Sequence, residues 1–525
     1  MDIARPGAQH LPPGADAAHI TYCRLCEAQC GLVAQVREGR IVKVEPDRAH
    51  VTSEGHLCVK GPGMRNVTYD PDRVLYPLRR TGAAGEFERV SWDDALDDIA
   101  RRLDAIVERD GGQAAAIYGG NPASFGTLHF GYIRQFLAAI HSGRLFSPMH
   151  VDTGAKHLAS ELVFGHGFRY TFPDLERCDF LLMLGANPMV SHMSLIAEPR
   201  AHRKLEEIAR RGAVVVVDPR RTETAKRFEH VQVQPDSDAW LLAAMLRTLF
   251  DEGLADVEYL EAHVDGWRDL NAALEAFDIE TCARRCGVSA DTLRTLARRF
   301  AGARTAACYG RLGTNRGRHA TLTSFFIEAL NLVAGRFAQA GGAVIGQAPF
   351  EHAAAPLMPP PYGSRRSRVG NLPLIGGMEP GGNLAAEILT PGEGQIKALI
   401  VDSGNPVLGY PQGERAAQAF ESLELMVALD FYVTETSRHA HYILPTTTFF
   451  ERDDVTDLWT INAPRPWLQA VPASIEPLGE ARVEFDIYNA LLKRMRRTPL
   501  FDALRPAGGP PLSLMQAADA MLRNG

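Results

Sequence analysis

The sequence predicts a multidomain α/β protein: two doubly wound, mostly parallel sheet domains and a small N-terminal domain organised by cysteines. Three observations carry this. The chain has 525 residues, enough for about three or four domains. Apolar strand-like runs alternate with helical stretches, and each run is followed by Gly, Asn, Asp or Pro, the pattern of parallel strands covered by helices on both faces. Four of the eight cysteines lie at Cys23, Cys26, Cys30 and Cys58, whereas Cys178, Cys282, Cys286 and Cys308 are scattered through stretches that read as core or helix.

Residues 1–20 are rich in Pro, Gly and Ala and are expected to form a loose tail. From Leu32 to Val44 the run alternates around Glu38-Gly39-Arg40, which predicts a hairpin. Trp92–Glu108 has helical periodicity, with Ser91 as N-cap and acidic residues in the first turn. The clearest strands are Ala114–Tyr118, Phe180–Leu184, Val214–Val217, Ala306–Tyr309, Ala398–Val401 and Leu425–Leu429. Ligands of such sheets bind beyond the carboxyl ends of the strands, so the segment after each strand is where chemistry is sought. Residues 347–383 are rich in Pro and Gly and contain the basic run Ser364–Arg368; a long ordered loop over a binding site and a disordered linker both fit. No fixed-period repeat is visible, but the two halves share a strand followed by Gly-Asn-Pro-like signals.

Composition excludes several function classes. A net charge of −7 gives no reason to expect nucleic acid or an anionic membrane as partner. No apolar run reaches the length of a membrane span, and direct membrane insertion is not expected. The first twenty residues lack the apolar core of a secretory signal and a twin-arginine pair, so a cytoplasmic location is expected. A disulfide framework does not suit a large chain of this kind.

The N-terminal cysteines follow Cys-x2-Cys-x3-Cys, with Cys58 delivered after a hairpin-sized gap. Three thiolates on one tight loop can hold three irons of a cubane, and a fourth from further along completes it. Four thiolates also suit tetrahedral zinc, but zinc ribbons present two separated Cys-x2-Cys knuckles, so the spacing favours a [4Fe–4S] cluster. Lys60 stands two residues beyond Cys58; it is either a solvated surface lysine or a cation that stabilises the reduced cluster.

The cysteine pattern, the hairpin and Cys58-Val59-Lys60-Gly61 resemble the start of the molybdopterin oxidoreductases of the dimethyl-sulfoxide-reductase superfamily. The resemblance continues in Leu182–Pro188 (LMLGANP), Val214–Ala225 (VVVVDPRRTETA), Gln234–Asp238, Tyr309–Gly317, Asn331–Gly342, Ile400–Pro406 and Asp430–Pro445. It implies a formate-dehydrogenase- or nitrate-reductase-like catalytic subunit with two molybdopterin guanine dinucleotides around one Mo or W atom, and a [4Fe–4S] cluster. It also implies cofactor contacts. The glycine of Gly185-Ala186-Asn187-Pro188 lets backbone approach a pyrophosphate, and Asn187 can hydrogen-bond it. Asp218 is placed to accept from a ribose or guanine, with Arg220 and Thr222 near a phosphate or sugar and Asp238 as an acidic guanine contact. Gly404, Asn405, Asp430, Thr434 and Thr436 repeat this logic in the second half. Lys60 would help electrons pass between cluster and pterin.

Two departures accompany the resemblance. In the stretch Asp152–Ser160, Leu158 occupies the slot in which relatives carry a metal-binding side chain, and leucine has no donor atom. Either the metal has no protein ligand, or His157, Asp152 or Ser160 substitutes, or the site is dead. The second departure is that nothing after Pro499 has the strand pattern of the family's closing β-barrel-like domain, so that domain is expected to be absent or supplied by a separate chain.

The expected division is 1–74 with about 441–500 as the iron–sulfur domain, 75–142 and 315–440 as the first pterin-binding domain, 143–314 as the second, and 501–525 as the start of a linker. The expected activity is two-electron redox of a small substrate with electrons leaving through the cluster to an electron-transfer protein or subunit. His157, Lys60 and Arg311 are the candidate catalytic residues, with Lys156, Asp152, Asn315 and Arg316 around them. A metal-free electron-transfer scaffold, or a non-redox hydratase on the same cofactor, is the alternative.

Overall fold

The computed structural model describes residues 12–346, 360–456, 458–465 and 467–524. They form two compact units, one from residues 1–151, 348–461 and 466–525, the other from 152–347 and 462–465.

The first unit contains a seven-stranded sheet in the order Phe87–Arg89, Leu78–Arg80, Tyr442–Pro445, Leu425–Asp430, Ala398–Asp402, Ala115–Gly119, Leu145–Phe146. The five strands from Tyr442–Pro445 onward are parallel, and the two at the edge run antiparallel. Strands of this kind alternate side chains between faces, and here both faces are buried. Tyr118, Leu399, Val401 and Met426 pack with Phe146, Ile388 and Phe420 on one side. Ile117, Ile400 and Val427 meet Ile99, Leu103 and Phe136 on the other. Ile99 and Leu103 belong to helix Trp92–Asp110, whose first turn is capped by Ser91 Oγ accepting from the Asp94 amide. Its end is set by Gly111, which has a φ of 81°.

From Ala115–Gly119 the chain moves one way, to Leu145–Phe146; from Ala398–Asp402 it moves the other way, through Leu425–Asp430 to Tyr442–Pro445. The order therefore reverses between Ala115–Gly119 and Ala398–Asp402, and the loops after those two strands, which touch at Gly120 and Ser403, line a crevice beyond them.

A three-stranded antiparallel sheet, Ala18–Tyr22, Gly31–Arg37 and Arg40–Pro46, lies in the same unit. Its hairpin turns at Glu38 and Gly39, both with positive φ (49° and 71°), as a tight two-residue turn requires. Cys23, Cys30, Leu32, Ile41 and Met64 form a core with Phe449, Phe450 and Ile475. The segment expected to join this domain, 441–500, thus divides: Tyr442–Pro445 belongs to the large sheet, and the residues near 450 and 475 pack beneath the cysteines.

In the second unit four strands, Glu229–Val231, Ala213–Val217, Phe180–Leu184 and Ala306–Gly310, are all parallel. Their order reverses between Phe180–Leu184 and Ala306–Gly310. Helices Asp238–Asp251 and Ala320–Val333 cover one face, and Ala201–Arg211 the other. Helix Ala320–Val333 had been expected with the first sheet domain. It belongs here because Asn331 inserts its amide between backbone groups, accepting from Cys308 N at 2.8 Å and donating to Cys308 O at 3.0 Å. Among the described residues the division between the units falls between 151 and 152 and between 346 and 360.

Of the Pro/Gly-rich stretch, residues 347–359 lie outside the described residues. The basic run is held in place: Arg368 pairs with buried Glu387 at 3.1 Å and donates to the carbonyls of Glu387 and Thr390. Residues 501–525, expected as a linker, include helix Leu514–Asn524, with Ala517, Ala518 and Met521 buried. Among the described residues no helix is long and apolar enough to cross a membrane.

Candidate cofactor and iron–sulfur site

The loop from Cys23 to Cys30 closes on itself through Cys23 N donating to Cys30 O at 2.8 Å, and Gln29, with a φ of 43°, makes the return. All four N-terminal cysteines are free thiols; Cys23 and Cys30 are buried, Cys26 and Cys58 half-buried. Burial pushes the Cys23 thiol up to about 12 and Cys26 up to about 11, and it raises Cys30 too. Each of these three also feels Cys58, so the fold brings the four together as the spacing implied. Enclosed thiolates need a positive partner, and the irons of a cluster are one. Among the described residues no three Cys, His, Asp or Glu side chains converge as a single ion requires.

Lys60 is exposed at the start of helix Lys60–Thr68, where a cation opposes the helix dipole, so helix stability does not account for it. Its charge reaches the Cys26 sulfur.

The crevice in the first unit is a cavity of about 380 Å³ lined by Arg24, Asn121, His129, Gly404, Asp430 and Arg452, among others. Around it lies a charged network that the sequence did not suggest. His129 Nε2 is 2.9 Å from Asp402 Oδ2, which also accepts from Tyr488 Oη at 2.9 Å. Arg452 pairs with Glu484 (3.1 Å) and Asp454 (3.2 Å), and Arg24 pairs with Asp454 at 2.8 Å. Burial opposes the His129 charge, yet Asp402 outweighs it and raises the imidazole. These residues come from five separate segments with no common spacing, so nothing in the sequence flags them.

Next to each reversal point, between the loop after one strand and the loop after its neighbour, the same device recurs. After strand Phe180–Leu184, Asn187 Oδ1 accepts from Thr224 Oγ1 (2.7 Å) and Thr224 N (3.1 Å), while its Nδ2 donates to Glu223 at 2.7 Å. After strand Ala398–Asp402, Asn405 Oδ1 accepts from Thr436 Oγ1 at 2.6 Å and its Nδ2 donates to Glu435 at 2.8 Å. Asp218 Oδ1 accepts from Arg220 N, and Asp430 Oδ1 from Tyr432 N. Thr222 Oγ1 accepts from Ala225 N, and Thr434 Oγ1 from Ser437 N. Each is an Asp-initiated turn locked onto a loop of the preceding strand. Glu223 is held down to about 2 by its own amide, Asn187 and Arg220, so it is charged in its pair. The Asn187 side-chain amide is engaged in this lock, and Arg220 is exposed beside Glu223.

Gly185, with a φ of 57°, lies against Gly313: a Cβ on Gly185 would stand 2.6 Å from Gly313 Cα. Gly313 N donates to Gly185 O, and Arg311 N to Leu184 O, so the two loops at the second unit's reversal point are bonded to each other. Arg311 is buried and reaches Asp152 at 3.4 Å, and Asn315 Oδ1 accepts from Lys156 N. Arg311, Asn315, Asp152 and Lys156 are thus gathered here. The Lys156 ammonium faces Glu328 at 3.6 Å, and burial lowers its pKa.

None of the three substitutes for Leu158 is uncommitted. Asp152 faces Arg311, Ser160 Oγ donates to His166 O at 3.0 Å, and His157 Nδ1 is 2.7 Å from Gly167 O. That last contact sets the proton on Nδ1. The ring is buried against Phe168 and Tyr170.

Asp238 and Asp430 are each pushed up to about 6 by burial, then by neighbouring carboxylates: Asp218 and Asp236 for the first, Asp402 for the second. For Asp238 the folded value lies above the ordinary 3.8, so the folded state holds the extra proton and stability falls as pH rises through that window. Asp238→Asn is therefore expected to stabilise cofactor-free protein by about 1–2 kcal/mol at about pH 7.5, after allowing for the helix dipole. The melting temperature should rise by about 2–4 °C there and be unchanged near about pH 3.5. Equal shifts at both values would refute the assignment.

The molybdopterin oxidoreductase family model matches residues 73–494, and the molybdopterin oxidoreductase Fe4S4 domain model matches residues 17–70. Probable oxidoreductase YyaE of Bacillus subtilis is 28% identical over 92% of this chain and 70% of its own length. The dimethyl sulfoxide/trimethylamine N-oxide reductase of Cereibacter sphaeroides is 28% identical over 92% of this chain and 64% of its own. Among solved structures, acetylene hydratase from Pelobacter acetylenicus superposes with a TM-score of 0.78 at 22% identity, covering 91% of this chain and 69% of that one.

Proposed function

Because the chain belongs to the molybdopterin oxidoreductase family, an enzyme family whose cofactors are a molybdenum pterin and a [4Fe–4S] cluster, we propose that it catalyses two-electron redox of a small substrate at Mo or W. Electrons leave through the cluster to a separate electron-transfer protein or subunit. The observation that carries this reading is the pair of locked turns, Asn187-Glu223-Thr224 and Asn405-Glu435-Thr436, one beyond the carboxyl ends of the strands next to each sheet's reversal. Two such cradles suit two dinucleotides.

When bound, the metal and its pterins supply the redox or atom-transfer chemistry. The chain's residues bind and orient. Gly185 and Gly404 allow backbone amides near the pyrophosphates, and Asp218, Thr222, Thr434 and Thr436 shape the turns that receive sugar and base. Asp238 and Asp430, held partly protonated by burial, become fully charged when they accept the paired N–H donors of a guanine. No side chain from Asp152–Ser160 binds the metal; His157 is held by its Nδ1 donating to Gly167 O, and Arg311 attracts an anionic substrate. Cys23, Cys26, Cys30 and Cys58 bind the cluster, and Lys60 eases electron passage near Cys26.

Metal and pterin analysis of anaerobically purified protein tests this. About four Fe per chain with near-stoichiometric Mo or W and pterin is expected, and a substrate screen then follows. Iron without Mo, W or pterin would refute the enzymatic reading and leave an electron-transfer scaffold.

A further inference from the structure

Arg24 follows Cys23 directly and is buried, at 4% exposure. Its guanidinium lies 4.0 Å over the Tyr22 ring, and Nη1 donates to Phe449 O at 2.9 Å and Tyr22 O at 3.2 Å. Nε faces Asp454 at 2.8 Å. Nη2 is enclosed and has no hydrogen-bond partner among the described residues, although Arg24 lines the 380 Å³ cavity. Thr447 Oγ1, lining the same cavity, is likewise buried without a partner. An enclosed donor left unsatisfied costs stability unless a ligand meets it. The fold thus fixes a permanent cation that borders both the cysteine loop and the cofactor cavity.

We propose that Arg24 is a positioning residue for electron transfer: its buried charge beside Cys23 holds up the reduction potential of the cluster. The inference rests on the reading of the four cysteines as cluster ligands. One electron converts the oxidised cluster into a reduced form one unit more negative, and a nearby cation favours that form. Solvent screens the exposed Lys60 charge, whereas the enclosed Arg24 charge acts with little screening. Asp454 offsets part of it, and is shared with Arg452 and with Thr127, whose amide donates at 2.9 Å.

The test is a dithionite titration of the anaerobically purified full chain, following the reduced cluster by electron paramagnetic resonance. Iron content and a reducible cluster in the unsubstituted protein decide the cluster reading separately. Given that cluster, Arg24→Gln is expected to disfavour reduction about tenfold, a fall of about 59 mV for one electron. Arg24→Lys should recover most of the potential, and Lys60→Ala should shift it less than Arg24→Gln does. Asp454→Asn, which leaves the Arg24 charge less compensated, should move the potential upward, a sign that general loosening of the fold would not produce. If Arg24→Gln fails to assemble a cluster, the sign of the Asp454→Asn shift decides. An unchanged potential in Arg24→Gln, or a downward shift in Asp454→Asn, overturns the proposal.

Discussion

Cys30→Ser is expected to abolish the cluster, taking iron from about four atoms per chain to below about one. Cys30 is the thiol most surrounded by the others: burial raises its pKa, followed by Cys23, Cys26 and Cys58 in turn. A serine hydroxyl in that enclosure ionises far less readily than a thiol and binds iron weakly. The loss should be accompanied by loss of electron delivery to any acceptor, of about a thousandfold or more, because the cluster is the proposed route out of the metal site. Iron determination with visible absorbance checks it, and Cys286→Ala supplies the control. Cys286 is buried in helix Ile279–Cys286 of the other unit, so its substitution should leave iron unchanged. Iron retained in Cys30→Ser would refute the ligand assignment.

The second large effect is expected from Gly185→Ala. Positive φ alone is tolerable for an L-residue: Ser403, at the corresponding place after the other sheet's strand, has a φ of 56°. What differs is the neighbour. A Cβ on Gly185 meets the backbone of Gly313 and Thr314 at 2.6–2.9 Å, and backbone cannot swing aside as a flexible side chain can. The loops after Phe180–Leu184 and Ala306–Gly310 must separate, breaking Gly313 N to Gly185 O and displacing Arg311. About 3–5 kcal/mol of destabilisation is expected for this steric and backbone strain. Pterin content should fall about tenfold or more, the loss that about 1.4 kcal/mol of binding free energy represents. Denaturant melts and pterin quantification are the measurements; full pterin content in a folded Gly185→Ala protein would sink the crevice as a cofactor site.

How much of this was legible in the sequence depended on whether the signal was local. Strand Phe180–Leu184 was predicted residue for residue, because all five side chains are buried and no polar residue interrupts them. Helix Trp92–Asp110 ran two residues past its expected end, to the glycine stop at Gly111. The cysteine loop was legible because cluster geometry writes itself as spacing. The ownership of helix Ala320–Val333 was not, since an apolar helix carries no mark of which sheet it covers; Asn331 decides it through space. Glu223 and Glu435 went unnoticed for a similar reason. Read alone they are surface carboxylates, and only contact with Asn187 and Asn405 makes them part of the cradles. Arg24 was passed over in favour of Lys60 because the burial that gives its charge reach has no one-dimensional signature.

The locked turns also bear on how the cofactor arrives. Each is closed by hydrogen bonds wholly within its own unit, among them Thr224 to Asn187 and Thr436 to Asn405, and none of these bonds uses a ligand atom. The entropy of ordering these loops, about 1–2 kcal/mol per residue, is then a cost of folding and not of loading. A receptor ordered by the chain's own hydrogen bonds loses little further freedom when it holds its ligand, so slow release of the cofactors is the expected result.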